Sequence, residues 1–236
     1  MIINLISSPR NISTATMYAF ANHGQFKVMD EPFYAYYLNL TGIDHPGREE
    51  IIKSQPTNIS GVLEWINELH KQHEHVFIKN MAHHLIYTNL EFLHDYVNVL
   101  LIRDPKELIT SFAKVIPNPK MTDIGVQRQF EIYEFLNREC LILDSNETLK
   151  NPEAVFKQFF TKVGIEYNPR MLHWSPGAIP EDGVWAKYWY DNVHTSSGIG
   201  KKNSNTSPFP ENCQSLLNES KPFYEQLKEK ALKADQ

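Results

Sequence analysis

The sequence predicts an α/β protein whose parallel β-sheet is covered by helices on both faces. Short apolar runs typical of buried strands alternate with amphipathic patterns typical of helices. Strands that alternate with helices in this way form parallel sheets, and ligands bind at the carboxyl ends of such strands. Polar or charged residues follow four of the runs, at Arg10, at Asp30 and Glu31, at Lys79 and at Arg103. This coincidence is the main indication of a functional site.

Composition and charge narrow the class of protein. The 236 residues suit a single domain spanning 1–236, and the 42% hydrophobic and 22% charged content is ordinary for a soluble protein. The net charge of −5 argues against a general nucleic-acid or membrane-surface role. Two cysteines, Cys140 and Cys213, make neither a disulfide framework nor a metal set.

The beginning of the chain and its hydropathy predict the compartment. An apolar run starts at residue 2, which leaves no room for a secretory signal, and no run approaches the ~20 apolar residues that span a bilayer. We therefore expect a soluble cytoplasmic protein with no nucleic-acid and no membrane partner. The sequence is compatible with a homo-oligomer.

The first half of the chain contains three predicted strands. Ile2, Ile3, Leu5 and Ile6 form the first apolar run, and a polar loop separates it from a helix over residues 15–20. Two further strands are predicted over 26–29 and 76–78. Helices are predicted over 33–40, 46–53 and 60–72, the last with Ser60 as its cap.

The second half continues the alternation and then departs from it. Residues 97–102 form the strongest strand of the sequence, and 140–143 form another. Helices are predicted over 106–114, 122–138, 152–163 and 211–233. Residues 174–205 are rich in Trp, Tyr and Gly with little periodicity, which predicts a long functional loop before the C-terminal helix.

The polar loop after the first strand has the properties of an anion site. A helix N-terminus presents unpaired N–H groups and a partial positive charge. Ser13 and Thr14 add hydroxyls at the first turn, and Arg10 adds a planar fork of donors that fits phosphate or sulfate. An ordinary β–α turn with a Ser/Thr cap is the alternative. The loop lacks GxxxxGK[ST], so it fits a single phosphate better than a triphosphate with magnesium.

Two segments together resemble the sulfotransferase family. SSPRNISTA is similar to the family's 5′-phosphosulfate loop, P-[KR]-S-G-[ST]-T. LLIRDPKELITSF is similar to its 3′-phosphate motif, in which a strand ends in Arg and a Ser follows eight residues later, as Arg103 and Ser111 do. LILDSNETLKNPEAVFKQFFTKVGI and VHTSSGIGKK are weaker matches in the family's order, and a "DEP" after the second strand resembles a bacterial-type subgroup.

The resemblance implies a nucleoside-triphosphate-hydrolase-like three-layer fold and a sulfuryl donor, 3′-phosphoadenosine 5′-phosphosulfate. The product would be adenosine 3′,5′-bisphosphate, the acceptor a hydroxyl or amine of a small molecule, and no metal is expected. By resemblance, donor-binding residues are Arg10, Asn11, Ile12, Ser13, Thr14, Arg103, Ser111, Ser197, Gly198 and Lys201. The loop departs from the family at Ile12, which replaces a glycine and tightens the backbone's approach to the anion.

The resemblance also implies catalytic roles. Arg10, in place of the more common Lys, is expected to stabilise charge on the bridging oxygen without donating a proton. For the base, His83 and His84 follow Lys79 where many members have a histidine, and Glu31 matches members that use a carboxylate. The sequence favours His83 or His84 over Glu31, with one of the adjacent histidines pointing away from the site.

Two other functions stay open from the sequence. One is a small-molecule kinase with a degenerate phosphate loop, against which the missing Gly-Lys pair argues. The other is a nucleotide-binding sulfotransferase-like protein without catalysis, which Ile12 and the shifted histidines make plausible.

Overall fold

A five-stranded, all-parallel sheet organises the molecule in the computed structural model, which describes residues 1–200 and 207–235. Its strands are β1 (Ile2–Ser7), β2 (Phe26–Asp30), β3 (His75–Met81), β4 (Val97–Ile102) and β5 (Leu141–Asp144). The strand order is β2-β3-β1-β4-β5. The predicted parallel sheet is thereby confirmed.

Helices occupy most of the connections between the strands. They are α1 (Ser13–His23), α2 (Tyr34–Thr41), α3 (Arg48–Ser54), α4 (Ile59–Gln72), α5 (Pro105–Phe112), α6 (Met121–Ile124), α7 (Val126–Phe135), α8 (Ser145–Lys150), α9 (Pro152–Val163), α10 (Ala186–Trp189), α11 (Asp191–His194) and α12 (Gln214–Lys230). Short 3₁₀ turns lie at Ala82–Leu85, Glu91–Asp95, Pro169–Leu172 and Glu211–Cys213. None of the helices in the described ranges has both the length and the apolar character needed to cross a bilayer.

Side chains of each strand alternate between two hydrophobic cores, one on each face of the sheet. In β1, Ile3 and Leu5 join the core with the α9 phenylalanines, while Ile2 and Ile6 join the core with α4, α7 and α12. This period of two requires helices on both faces, because each face carries apolar side chains that must be covered. The three-layer α/β architecture is confirmed.

The strand order places a crevice between the carboxyl ends of β1 and β4. The connection after β1 leads to β2 on one side of the sheet, and the connection after β4 leads to β5 on the other side. Adjacent strands whose connections diverge in this way leave an opening above their ends, where α/β proteins bind ligands. Ser7 pairs with Leu101 across this crevice, so the loops that begin at residues 8 and 103 face each other.

A ladder of buried amides joins the three central strands. Asn80 Nδ2 donates to Asn4 Oδ1 at 2.7 Å, Asn4 Nδ2 donates to Asn98 Oδ1 at 3.0 Å, and Asn98 Nδ2 donates to the Leu93 carbonyl at 2.7 Å. Buried polar groups that find partners only in one register specify that register. The ladder therefore helps to fix the relative positions of β3, β1 and β4, whose ends carry the candidate site.

Several predicted boundaries are wrong for identifiable reasons. The helix expected over 122–138 is broken at Gly125, which adopts a left-handed φ of 66° where an added Cβ would lie 3.3 Å from Ala82 Cβ. The cap of α4 is Asn58, whose side chain accepts from the Gly61 N–H at 2.9 Å, so the expected cap Ser60 lies inside the helix. The region 174–205, expected as a loop, contains α10 and α11.

Candidate active site

The loop between β1 and α1 is held by the side chain of Asn11. Asn11 Nδ2 donates to the Leu101 carbonyl of β4 at 3.0 Å, and Asn11 Oδ1 accepts from the Ile12 N–H at 2.9 Å. Arg10 has a left-handed φ of 53°, so the turn takes its unusual backbone conformation there and not at Ile12, whose φ is −88°. Position 12 therefore does not require a glycine's conformational freedom, and the Ile12 side chain packs against the core.

Helix α1 begins with unpaired backbone donors. Its N-cap is Ile12, and none of the described side chains caps its first turn, so the alternative of an ordinary Ser/Thr cap is not what forms. Thr16 is the residue whose N–H bonds back to the Ile12 carbonyl, at 2.8 Å. The N–H groups of Ser13, Thr14 and residue 15 precede it and have no intrahelical acceptor. These donors and the helix dipole make this end of α1 suited to an anion.

The two arginines and the serine of the predicted donor motifs meet above the crevice. Arg10 Nε donates to Ser111 Oγ at 3.2 Å, and Arg103 Nη1 donates to the Arg10 carbonyl. Asp104 caps α5 by accepting from the Lys106 N–H at 2.9 Å, so a carboxylate occupies the start of that helix. An anion beside Arg103 would therefore be held by the side chains of Arg103 and Ser111, and not by the start of α5.

A cavity of about 460 Å³ opens beside this cluster. It is lined by residues of the β1–α1 loop and by residues at or just after the carboxyl ends of β2 and β3. Its lining comprises Pro9, Arg10, Asn11, Ser13, Thr14, Glu31, Tyr34, Tyr37, Ile43, Asp44, His45, Pro46, Lys79, Met81, His83, His84, Phe112, Val115, Ile116, Asp123, Trp189 and Tyr190. All three predicted candidates for the base line this cavity together with Arg10.

Lys79 is the centre of a buried ion cluster at the cavity wall. Its side chain is fully buried, and its Nζ donates to Asp30 Oδ1 at 2.9 Å, to Glu31 Oε1 at 2.6 Å and to Tyr190 Oη. Tyr190 Oη in turn donates to Asp30 Oδ2 at 2.8 Å and accepts from Trp185 Nε1 at 3.0 Å. The cluster holds the Glu31 carboxylate in one position, with its Oε2 3.8 Å from His84 Nδ1.

The charges of this cluster depend on one another. Burial raises the pKa of Glu31, and the neighbouring Asp30 carboxylate adds to the rise, while the Lys79 ammonium opposes it. Burial alone would lower the pKa of Lys79, but the Asp30 and Glu31 carboxylates outweigh it and raise that pKa. Burial and the same carboxylates raise the pKa of Tyr190 well above its usual value. Lys79 therefore stays charged and Tyr190 stays neutral.

His83 and His84 both line the cavity, contrary to the expectation that one would point away. They lie in the 3₁₀ turn Ala82–Leu85 and not in a strand, so their side chains are not on opposite faces. The His84 ring stacks between Tyr34 and Tyr37, at centroid distances of 4.5 and 4.9 Å. Burial lowers the pKa of His83 to about 3, and burial and His83 lower that of His84 well below its usual value.

The predicted 3′-phosphate loop lies partly outside the described residues. Lys201 is outside them. The Ser197 carbonyl accepts from the Trp174 N–H at 3.1 Å, and Gly198 bridges to His173. Neither Ser197 nor Gly198 is among the residues that line the cavity.

Gly198 lies so close to the chain at Leu172 that a side chain would not fit. An added Cβ would lie 2.4 Å from the Leu172 carbonyl oxygen, whereas nothing is within 4 Å of a Cβ added at Gly200. We expect Gly198→Ala to lower the free energy of unfolding by about 1–3 kcal/mol, because the backbone must shift. Urea unfolding measures this, with Gly200→Ala as the matched control. Equal effects of the two variants would contradict the prediction.

Several cavity residues were not among the predicted site residues. Asp44, His45 and Pro46 follow α2, and Asp123 lies in α6, in segments without a recognisable motif. Tyr34 and Tyr37 were predicted only as part of the helix over 33–40. A polar Asp44-His45 pair beside Pro46 was the one available signal, and it does not reveal contact with residues 80–84. Within residues 1–200 and 207–235, no group of three or more His, Cys, Asp or Glu is placed to hold a metal ion.

Two known proteins are similar in sequence to nearly the whole chain. Two proteins of Arabidopsis thaliana, branched-chain-amino-acid aminotransferase-like proteins 1 and 2, are 31% and 30% identical to the chain over 231 residues. These alignments cover 96% of the chain and 41% of each relative, so the chain spans about two fifths of the length of the curated relatives it matches.

Solved structures share the fold. The sulfotransferase domain from the curacin biosynthetic pathway superposes with a TM-score of 0.55 at 15% identity, covering 92% of this chain and 96% of that one. The sulfotransferase domain from the Synechococcus PCC 7002 olefin synthase gives 0.57 at 14% identity, with coverages of 92% and 93%. The family model described as a sulfotransferase domain matches residues 1–231. With nearly its whole length matched by that model, the chain belongs to the sulfotransferase domain family.

Proposed function

We propose that the protein transfers a sulfuryl group from 3′-phosphoadenosine 5′-phosphosulfate to a hydroxyl or amine of a small molecule. One observation carries the proposal. Arg10 and the start of α1 line the same cavity as the Glu31 carboxylate. Arg10 is in turn bonded to Ser111 and Arg103, which lie behind it and outside the lining. An anion-binding end and a proton-accepting wall within one cavity are the two parts that the transfer needs.

The residues present fit the donor at both of its charged ends. Arg103 and Ser111 would hold the 3′-phosphate, since both side chains lie at the end of β4 and α5 beside the crevice. The N–H groups at the start of α1, the Thr14 hydroxyl and Arg10 would hold the 5′-phosphosulfate. Burial lowers the pKa of Arg103, with Glu107 opposing the shift, but a guanidinium remains charged at neutral pH.

The transfer is an in-line displacement at sulfur. The acceptor oxygen or nitrogen forms its bond to sulfur as the bond between sulfur and the bridging oxygen breaks, and the electron pair of that bond remains on the 5′-phosphate. Arg10 would stabilise the charge that develops on this oxygen, because fixed cations aimed at a developing charge lower the barrier. The proton of the acceptor leaves to a base at the cavity wall.

Among the three candidates for this base, the structure favours Glu31 over the histidines that the sequence favours. At pH 7 a base with a pKa of about 3, as in His83, has little driving force for taking up a proton. The pKa of His84 is lowered as well, whereas burial raises the pKa of Glu31 above its usual value, and the Glu31 carboxylate lines the cavity. We propose Glu31 as the proton acceptor and the neutral His83 and His84 as hydrogen-bonding groups for the acceptor.

The cavity volume supports a small acceptor. A volume of about 460 Å³ lies within the range of small-molecule sites, ~300–1,000 Å³. Tyr34, Tyr37 and Trp189 line it with aromatic rings, which suits a compact organic molecule better than a polymer chain.

Calorimetric titration with adenosine 3′,5′-bisphosphate in EDTA tests the donor site. We expect micromolar binding to the wild type and about ten- to a hundredfold weaker binding to Arg103→Ala and to Arg10→Ala, because each loses a charge-assisted contact worth ~1.5–3 kcal/mol. Arg138→Ala is the matched control, since Arg138 is an exposed residue paired with Glu134 at 2.9 Å.

Three results would contradict the proposal. If adenosine 3′,5′-bisphosphate does not bind in EDTA, the donor site is excluded and the kinase alternative is favoured. If Arg10→Ala, Arg103→Ala and the control Arg138→Ala weaken binding equally, the nucleotide binds elsewhere. Tight binding without transfer to any acceptor would instead favour a nucleotide-binding protein without catalysis.

A further inference from the structure

The proposed base, Glu31, lies in a turn that backbone sterics alone would not select. Glu31 has a left-handed φ of 40°, a conformation that favours glycine, and it precedes Pro32, which favours extended backbone at the residue before it. Residues in such conformations cluster at functional sites, and they persist where the surrounding structure fixes them. Because the Glu31 carboxylate lines the cavity, the groups that fix this turn also determine where the proton acceptor lies.

Strand β3 fixes one side of this turn. Lys79 Nζ donates to Glu31 Oε1 at 2.6 Å, and the Glu31 N–H donates to the Lys79 carbonyl at 2.8 Å. The Glu31 carbonyl has two other partners. It accepts from the Tyr34 N–H at 3.0 Å and from the side chain of Gln55 at 3.1 Å.

Gln55 joins the turn to the start of α2 through both ends of its side-chain amide. Its Nε2 donates to the Glu31 carbonyl and lies 3.5 Å from the Asp30 carbonyl, and its Oε1 accepts from the Ala35 N–H at 3.1 Å. Ala35 is fully buried in the first turn of α2, where an N–H has no intrahelical acceptor. Only this orientation of the amide satisfies both partners, since the opposite one would place a donor against the Ala35 N–H.

The local sequence fixes Gln55 itself. It follows α3 and precedes Pro56, and its φ of −141° and ψ of 159° are the extended conformation that a residue before proline prefers. Gln55 is half-buried and is not among the residues that line the cavity. Any effect of Gln55 on the transfer therefore passes through the residues to which it is bonded.

The helix that Gln55 binds also contributes to the cavity. Tyr34 and Tyr37 of α2 line it, and the N–H of Ala35 between them is the one bonded to Gln55. The same amide thus links the proton acceptor to the aromatic wall of the cavity. Misplacing a reacting group by about 1 Å can lower a rate by about a hundredfold, so this link matters for the transfer.

We propose that Gln55 is a positioning residue for sulfuryl transfer, which holds the Glu31 carboxylate in place relative to the wall formed by α2. This inference rests on the proposed function and adds a residue to it. Gln55 touches neither donor nor acceptor, and its effect on the rate passes through Glu31.

The variant Gln55→Met tests the proposal. Methionine is close to glutamine in length, but it has no N–H to donate to the Glu31 carbonyl. Transfer of ³⁵S from labelled donor is measured in single turnovers, with phenol as the probe acceptor and, without phenol, with water. We expect both rates to fall about ten- to a hundredfold, because the base is misplaced, and the affinity for adenosine 3′,5′-bisphosphate to stay unchanged.

A double variant shows whether the loss passes through Glu31. Residues that act as a unit are not additive, so adding Gln55→Met to Glu31→Gln should cause no further fall in rate. A merely structural role of Gln55 would lower the rate by the same factor in both backgrounds.

Gln158→Met is the matched control. Gln158 is also half-buried, and its Nε2 donates to the Lys233 carbonyl at 2.7 Å, away from the cavity lining. This variant loses a comparable amide contact and should keep the wild-type rate, and urea unfolding compares the stability of the two variants. If Gln55→Met does not fold, Gln55→Asn is measured in its place, since it keeps the amide on a shorter side chain and should show a smaller loss of the same kind.

The outcomes separate this inference from the function on which it rests. A wild-type rate in Gln55→Met, an equal loss in Gln158→Met, or an undiminished loss in the Glu31→Gln background overturns the positioning role alone. Weaker bisphosphate binding by Gln55→Met also overturns it, because the damage would then extend to the donor site. If the wild type does not bind the bisphosphate, or binds it without ³⁵S transfer to phenol or water, the proposed function itself is overturned.

Discussion

Glu31→Gln is expected to lower kcat by about 10²–10⁴-fold, the range that a positioned general base contributes. The amide keeps an oxygen that can accept from Lys79 Nζ, as Glu31 Oε1 does at 2.6 Å, so the cluster around Lys79 keeps its hydrogen bonds. The amide cannot take up the acceptor's proton. Single-turnover transfer of ³⁵S from the donor measures the loss, and circular dichroism of the variant reports its folding.

The pH profile separates Glu31 from the histidines as the base. A base acts when deprotonated, so kcat/KM of the wild type should rise with pH through an apparent pKa above the usual glutamate range, since burial raises the pKa of Glu31. This limb should be absent from Glu31→Gln and present in His83→Asn and His84→Asn. Turnover lost in His83→Asn but kept within tenfold in Glu31→Gln would show that the base is His83.

Lys79→Met is expected to lower the free energy of unfolding by about 3–5 kcal/mol at pH 8, because removing one partner of a buried ion pair leaves its counter-charges unpaired. Lys79 is fully buried, and it is bonded to both Asp30 and Glu31. The methionine replaces the aliphatic part of the side chain but not the ammonium. Urea unfolding followed by tryptophan fluorescence measures the change.

The dependence of this loss on pH identifies its electrostatic cause. Without the ammonium, which opposes the rise, burial raises the pKa of Glu31 in the folded state still further above its unfolded value. Protonation of Glu31 then favours the folded state, so the penalty is smallest at low pH and grows as pH rises through the folded pKa of Glu31. The pKa of Lys79 is raised in the wild type, so its contribution is fully present at both pH 5 and pH 8. The loss in Lys79→Met should therefore be smaller at pH 5 than at pH 8.

A surface lysine provides the control for this prediction. Lys71 pairs with Glu68 at 2.6 Å, and both side chains are more than half exposed. Solvent screens exposed pairs of this kind, so Lys71→Met should have little effect on the free energy of unfolding at either pH. A loss of less than about 1 kcal/mol in Lys79→Met at pH 8, or a loss that is larger at pH 5, would show that the cluster does not have the charges assigned to it.

The fold followed from the sequence because its signals are local. Apolar runs of three to six residues, separated by helical periodicity, predict a parallel sheet covered on both faces, and the sheet formed as predicted. The spacing of Arg103 and Ser111 was equally informative, since a helix that starts at Pro105 fixes where a residue two turns later lies. Family resemblance added the pairing of this motif with the loop at Arg10, and the structure brings the two together.

The chemistry of the cavity wall was decided by tertiary structure alone. Tyr190 contacts Asp30 across 160 positions in the chain, and its hydroxyl is bonded to both Asp30 and Lys79. The strength of His83 and His84 as bases depends on their burial, which no local pattern reports. Asp44 and Asp123 lie in short segments whose meeting depends on where α2 and α6 pack. Periodicity and motif spacing encode neighbours along the chain, whereas pKa values and cavity linings depend on neighbours in space.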